Sequence, residues 1–530
     1  MEKIKKLMEQ MKQIFKSGTS DHEYTDFRVC LERAKQGDAD EQVKLGNRYR
    51  EGNGVPTDLV EAVYWYSKGA EQGCARNQRA LAHMYVSGQG VAKDLVEAAK
   101  WYRKAADQGD AHAQYHLGSH YDFVGGVPKD LVEAAKWYLK AAEQGDARAQ
   151  GALAHMYEQG HGVTKDLAEA AKWYLKAAEQ GNAPAQDFLA HMYERGHGVT
   201  KDLAEAAKWY RKAAEQGNAH AQHRLGVHYL PNVVDGEGLL EAAKWFLKAA
   251  EQGYVDSQYR IAYMYEQGYG VTKDLAEAAK WYRKAAEQGN ARAQHRLGVH
   301  YYVVDGVPKD LLEAAKWFLK AAEQGNVDSQ YHIAYMYEQG HGVTKDLAEA
   351  FKWYIKAAEQ GDVFSQCALG EWYRNGIHVS NDLGECVKWY LKAAEQGFDE
   401  AQYILVKIYL LDYWLSPDFI EAAKWCLKAA EQGHVEAQNT LGSMLYEGNG
   451  VTQNFTEAIK WFRSAAEQGH ADSQNNLGVI YANGDGCPID LDEAEKWFCK
   501  AAAQGHEDAK CALDKMSSRF LNGMLLLNQL

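Results

Sequence analysis

The stretch GHGVTKDLAEAAKWYLKAAEQG, Gly160 to Gly181, returns 36 residues later as GHGVTKDLAEAAKWYRKAAEQG, Gly196 to Gly217. Tryptophan keeps the same period across most of the chain, standing at every 36th residue from Trp65 to Trp497. Thirteen of the 15 tryptophans fall in this register; Trp372 and Trp414 do not. Thirteen units of 36 residues then run from Asp38 to Gly505. A fixed period of this length is the signature of a stacked-repeat architecture rather than of several globular domains.

Each unit reads as a pair of helices. In Asp146–Gly181, the segment DARAQGALAHMYEQ sets Gln150, Leu153, Ala154 and Tyr157 on one side. GHGVTK interrupts that helix, its glycines supplying the backbone freedom a helix end needs. The next helix opens with DLAE, in which Asp166 caps and Glu169 stands three residues on. That is the spacing of a capping box, worth about 1 kcal/mol. Leu167, Ala170, Ala171, Tyr174, Ala177 and Ala178 form its buried face, and Glu169, Lys172, Lys176 and Glu179 its wet one. Gly181 ends it. One such pair cannot bury both faces, so neighbouring units must stack.

The pattern AxxxLGxxYxxGxGVxxDxxEAxxWYxKAAEQG resembles the Sel1-like repeat, a relative of the tetratricopeptide repeat. The tetratricopeptide unit itself is about 34 residues and lacks the GxGV loop. The resemblance implies an all-α fold: a right-handed superhelical solenoid of 13 tandem 36-residue helix-turn-helix repeats with terminal caps. It also implies first helices lining a concave groove, and scaffold or adaptor work on a protein partner without catalysis. A narrower form, suggested by bacterial relatives, is an immunity-type or host-directed protein that binds one toxin or host factor. Some secreted relatives carry paired cysteines in each repeat. The eight cysteines here are irregularly spaced and form no CxxC pair, so neither a disulfide framework nor a zinc knuckle is indicated.

The expected organisation is a partial cap at 1–37, repeats over 38–505 and a C-terminal cap at 506–530. Within 1–18, one face carries Ile4, Leu7, Met8, Met11, Ile14 and Phe15 and the other lysines. Packing on the first repeat or pairing with another chain is favoured over a membrane surface. Met524–Leu527 either covers the last repeat or makes an oligomer contact. The chain is 46% hydrophobic with seven prolines, which excludes a disordered polypeptide. A net charge of −14 argues against nucleic-acid binding, which needs a basic face. No run approaches the roughly 18 apolar residues of a membrane span. The N-terminus has no signal-peptide core, so a cytoplasmic protein is expected.

Information should sit where the copies differ. The stripe of repeat positions 3, 7, 10 and 14, opposite the buried side of each first helix, should face the groove, and it changes along the chain. In repeats two to nine it is rich in arginine, histidine and aromatic residues, whereas Glu371, Glu400, Glu436, Glu447 and Asp472 turn it acidic later. Arginine and aromatic side chains anchor protein interfaces. The candidate partner-binding residues are therefore Arg148, His155, Phe188, His191, Arg224, Arg260, Tyr263, Arg292, Arg296 and Tyr335, and the expected partner has an acidic surface or segment. Trp414, in the irregular YLLDYWLSPDF connection, either tucks against a neighbour or forms a contact patch.

Motifs of catalysis are absent: no GxxxxGK[ST], HExxH or GxSxG occurs. GxG follows a helix rather than a strand, so no dinucleotide is expected. In HMYExGHG the i, i+6 spacing of His155 and His161, and of His191 and His197, does not place both rings on one helical face. No metal, cofactor or catalytic residue is assigned. Asn454 of the sequon NFT takes the N-cap place held by Asp in most units.

Overall fold

A computed structural model of the chain describes residues 21–230, 237–303, 309–411 and 417–527, with side chains at 21–25, 411 and 518–527 excepted. Trp414 and residues 1–18 lie outside the described residues, as do the side chains of Met524–Leu527. Among the described residues there are 28 α-helices and no strand. Most helices are 13 residues long, as in the pair Ala147–Gln159 and Leu167–Glu179. Within each of the two compact units described next, a first helix packs on its own second helix, and the second packs on the next first helix. The chain divides into two compact units, Met1–Lys273 and Asp274–Leu530, built from the same helix pairs.

The second helices start as the sequence predicts, with one difference. Asp166 Oδ1 accepts from the backbone N–H of Ala168 and Glu169 at 2.9 and 3.0 Å. The expected reciprocal bond from Glu169 is not made. The Asp166 N–H already donates to the Tyr157 carbonyl at 2.9 Å, so Glu169 turns outward and receives Lys172 at 2.5 Å. Asn454 accepts from the Glu457 N–H at 3.1 Å, in the same capping role.

Size matching fixes how the two helices of a repeat meet. A Cβ on Gly46, Gly118, Gly226 or Gly298 would stand 2.4–2.8 Å from the ring of Tyr66, Tyr138, Phe246 or Phe318 respectively. In repeat eleven the ring is replaced by Cys426, and the facing position enlarges to Val406; both are fully buried. Lost volume on one helix is restored on the other, as a close-packed interior requires.

Stacking of successive repeats uses two devices. The second loop glycine, for example Gly162 at φ +69°, places its Cα against the Leu131 carbonyl of the preceding repeat, where a Cβ would come to 2.0 Å. Only glycine satisfies both the backbone conformation and the approach. A ladder of buried glutamines forms the second device. Gln150 Nε2 donates to the Ala142 carbonyl at 3.0 Å, while its Oε1 accepts from Gln180 Nε2 at 2.7 Å. The same pair recurs as Gln114–Gln144 and Gln294–Gln324. A polar group buried at every repeat is thus satisfied from both sides.

The ends add single helices. Asp21–Lys35 buries Phe27, Cys30, Leu31 and Ala34 against the first repeat. Glu507–Leu527 follows the last repeat and buries Ala509. Repeat three departs locally: its first helix passes at His120 into a five-residue π-helical turn, His120–Val124. There His120 Nδ1 hydrogen-bonds the Gly125 carbonyl.

Candidate partner-binding faces

The first helices bury Ala149, Gln150, Leu153, Ala154 and Met156 and their counterparts, and among the described residues leave positions 3 and 14 most open, with position 10 varying from exposed at His155 to buried at Ser119. Position 6, outside the sequence-derived stripe, also varies from copy to copy, and it lies buried or half-buried between neighbouring first helices. Asp187 there receives His220 of the next repeat at 2.8 Å, and His223 and His295 meet Ser257 and Ser329 at 2.9 Å. Its signal was present in the sequence as variation equal to that of position 7.

In the unit Met1–Lys273, repeats one to four enclose an open cleft of about 720 Å³. Lys44, Asn47 and Arg50 contribute from the first repeat, Arg76, Arg79 and His83 from the second, His112 and His116 from the third, and Arg148 from the fourth. Tyr102, from a second helix, forms its floor. Of these, Arg76, His83, His112, His116 and Arg148 stand on the stripe read from the sequence, and Arg148 alone is among the ten candidate residues.

The arginines are held from behind by carboxylates that also cap helices. Arg79 meets Asp110 at 3.2 Å, and Arg148 Nη2 meets Asp146 Oδ2 at 3.0 Å. Asp110 caps the helix beginning at Ala111, and Asp146 the helix beginning at Ala147. Burial raises the Asp146 carboxyl, but bonds from Arg148, the Ala149 N–H and His112 outweigh it and hold the group below the usual carboxylate range. His112 Nδ1 stands 2.7 Å from both Asp146 Oδ2 and Arg148 Nη2. Protonated, that nitrogen donates to the carboxylate; neutral and bare, it accepts from the guanidinium. Arg148 also lies 4.6 Å over the Tyr115 ring. His116 stacks on Tyr102, and burial, then Arg148, push its pKa down to about 4, so it is neutral at pH 7.

Further along this unit, His155 is exposed, 6.1 Å from Phe188, and Phe188 stacks on Tyr174 at 5.3 Å. His155 and His161 come to 6.5 Å, and His191 and His197 to 6.3 Å. The two rings do not share a helical face, as the spacing implies; the left-handed Gly160 and Gly196 turn the loop back so that the second ring approaches the first from beyond the helix end. Among the described residues no group of three His, Cys, Asp or Glu could hold a metal. His191 is half-buried, and burial lowers its pKa. Arg224 is not an open anchor: it is half-buried and ion-paired with Glu194, which also accepts from Tyr210 at 3.0 Å. Arg260 and Tyr263 line a separate, more apolar cleft of about 350 Å³ with Leu230, Phe246, Met264 and Tyr269.

In the unit Asp274–Leu530, Arg292 is exposed and Arg296 half-buried on the helix Ala291–Val303. Tyr335 is exposed beside His341, at 6.0 Å. Glu400 and Glu436 flank His434 at 3.3 and 3.4 Å, and Asp472 meets His506 at 3.2 Å. Part of the acidic stripe is therefore matched by histidines the stripe did not include.

The Sel1 repeat model matches thirteen consecutive segments, 42–74, 78–110, and then eleven from 111–146 to 471–506. The chain belongs to the Sel1 repeat family. Proteins of this family generally mediate protein–protein interaction and are typically non-enzymatic scaffolds. The chain is similar to a protective antigen of uropathogenic Escherichia coli, with 34% identity over 91% of this chain and 97% of that one, at a TM-score of 0.49. It is also similar to a Sel1 repeat protein from Oxalobacter formigenes, with 33% identity over 69% of this chain and 92% of that one, at a TM-score of 0.33. An immunity protein from Pseudomonas aeruginosa shares 19% identity over 40% of this chain and 81% of its own length, at a TM-score of 0.26. No curated protein sequence matches the chain at a significant level. Among the described residues, no helix is long and apolar enough to cross a membrane.

Proposed function

We propose that this Sel1 repeat protein is a non-enzymatic scaffold that holds a protein partner against the variable faces of its first helices. The observation that carries the reading is a division of labour within each repeat. The second helices repeat almost unchanged and spend their apolar residues on packing, whereas the first helices expose different residues in each copy. Arg148, His155, Phe188, Arg260, Arg292 and Tyr335 are the exposed members of that set. On this reading residues 38–505 are the binding array, and 1–37 and 506–530 flank it as caps. An immunity-type role toward one toxin or host factor is a narrower form of the same activity, in the cytoplasm of a bacterium.

The test is affinity capture from lysate of the native host with wild type and with Arg148→Glu/Arg260→Glu/Arg292→Glu. These three positions are exposed, and Arg224 is left alone because it is half-buried. Circular dichroism establishes equal helicity first. A protein captured by wild type and lost from the variant supports the reading. A protein held equally by both moves the site to another surface.

A further inference from the structure

We propose that the cleft formed by repeats one to four binds an extended peptide segment bearing two or more anionic side chains, carboxylate or phosphate. The inference rests on the scaffold reading and names the kind of segment one of its faces takes. The cleft has the size of a ligand site, and it is built from four successive first helices rather than from one. Its cations are therefore distributed along it: Lys44 and Arg50 from repeat one, Arg76 and Arg79 from repeat two, and Arg148 from repeat four. An occupant that satisfies both ends must itself be extended and carry charge at more than one point.

Charge alone would not distinguish this cleft from an ordinary wet surface. Each cation has a carboxylate near it, including Asp40 at 3.7 Å from Arg76 and Glu41 at 2.9 Å from Lys44. The distinction lies in how the guanidiniums are fixed. Asp110 and Asp146 are themselves locked as helix caps, and each holds one arginine by one side. A guanidinium has five donors in a planar fork, so the pairing leaves donors for a second anion. Fixing the side chain beforehand removes much of the ordering cost of binding. His112 lies beside both Asp146 and Arg148, and His116, packed on Tyr102, keeps a neutral polar ring at the floor.

The experiment is fluorescence polarisation on the full-length chain with a labelled ten-residue peptide of alternating Glu and Ser. Arms with Gln in place of Glu, with phosphoserine in place of Ser, and with inorganic phosphate as competitor separate the anion sources. The Glu peptide is expected to bind, to weaken at least tenfold in the Gln version, and to weaken at least tenfold on raising NaCl from 50 to 500 mM. Lys44→Ala/Arg76→Ala, both exposed, is expected to weaken it at least fivefold with an unchanged melting curve, whereas Arg292→Ala changes nothing. Tight binding of the phosphoserine peptide over the Glu peptide assigns the phosphate source. Displacement by millimolar inorganic phosphate alone overturns the extended-segment proposal in favour of a point-anion site. No binding of either acidic peptide, or binding indifferent to Lys44→Ala/Arg76→Ala, also overturns it. If a captured partner still depends on Arg260 or Arg292, the scaffold reading survives that failure.

Discussion

Gly298 lies directly beneath Phe318: a Cβ on the glycine would stand 2.7 Å from the edge of the ring, closer than side-chain carbons approach. Gly151, at position 6 of repeat four and also in a first helix, meets nothing nearer than Asn182 Oδ1 at 4.0 Å. The same substitution should therefore have opposite signs at the two sites. Gly298→Ala overpacks the junction and should cost about 1–3 kcal/mol. Gly151→Ala should stabilise by roughly 0.5–1 kcal/mol through lost chain entropy. Urea denaturation midpoints of the two variants decide it; a shift in the same direction for both contradicts the packing account.

The glutamine ladder makes a second prediction. Gln294 donates to the Ala286 carbonyl at 3.0 Å and accepts from Gln324 at 2.7 Å. Gln294→Leu keeps the volume and strands both partners, one of them buried, at a cost of about 1–3 kcal/mol. An unchanged midpoint would show that the ladder is decorative.

Acid should loosen the array before its carboxylates titrate. Burial holds the pKa values of His116, His223 and His295 down to about 4, and an unfolded histidine titrates near about 6.5. Between those values the unfolded chain binds protons that the folded chain refuses. Stability is therefore full above about pH 6.5 and is lost as pH falls toward 4, by up to about 1.4 kcal/mol per pH unit for each such histidine. Denaturation midpoints from pH 7.5 to 4.5 should slope downward, and His295→Gln should make the slope shallower. A flat profile contradicts the assignment.

Thiol reactivity should follow the fold rather than the sequence. Cys499 and Cys511 are exposed, whereas Cys30 and Cys426 are buried with pKa values pushed up to about 12. With Ellman's reagent under native conditions, Cys499 and Cys511 should react in seconds to minutes. Cys30, Cys386 and Cys426 should wait for unfolding. Mass mapping of the labelled peptides reads the order.

The repeat was legible because it is written in packing residues: Trp101, Tyr102 and the Ala-rich second helices allow one solution, and thirteen copies state it. The N-caps were legible for the same reason, down to Asn454. Glu169 was misread because its intended partner, the Asp166 N–H, is taken by the Tyr157 carbonyl, a bond that exists only once the loop has closed. The approach of His155 to His161 was not legible, because helical spacing says nothing about a chain that reverses at a left-handed glycine. The site was less legible than the fold. A helical wheel places Arg148 and Arg224 on one stripe, but neighbouring repeats leave Arg148 in an open cleft and pair Arg224 with Glu194. Arg79 was overlooked because position 6 looks like a flank on an isolated helix, and its contacts with the next first helix and with the cleft exist only when first helices stand side by side.

The most direct test compares two charge-reversal variants for binding of the captured partner by calorimetry. One carries Arg148→Glu, Arg260→Glu and Arg292→Glu on the first helices; the other carries Lys100→Glu, Lys172→Glu and Lys280→Glu on the exposed sides of the second helices. The account predicts at least a tenfold loss of affinity for the first and less than a twofold change for the second. Loss from the second with none from the first would place recognition on the copied helices and contradict the account.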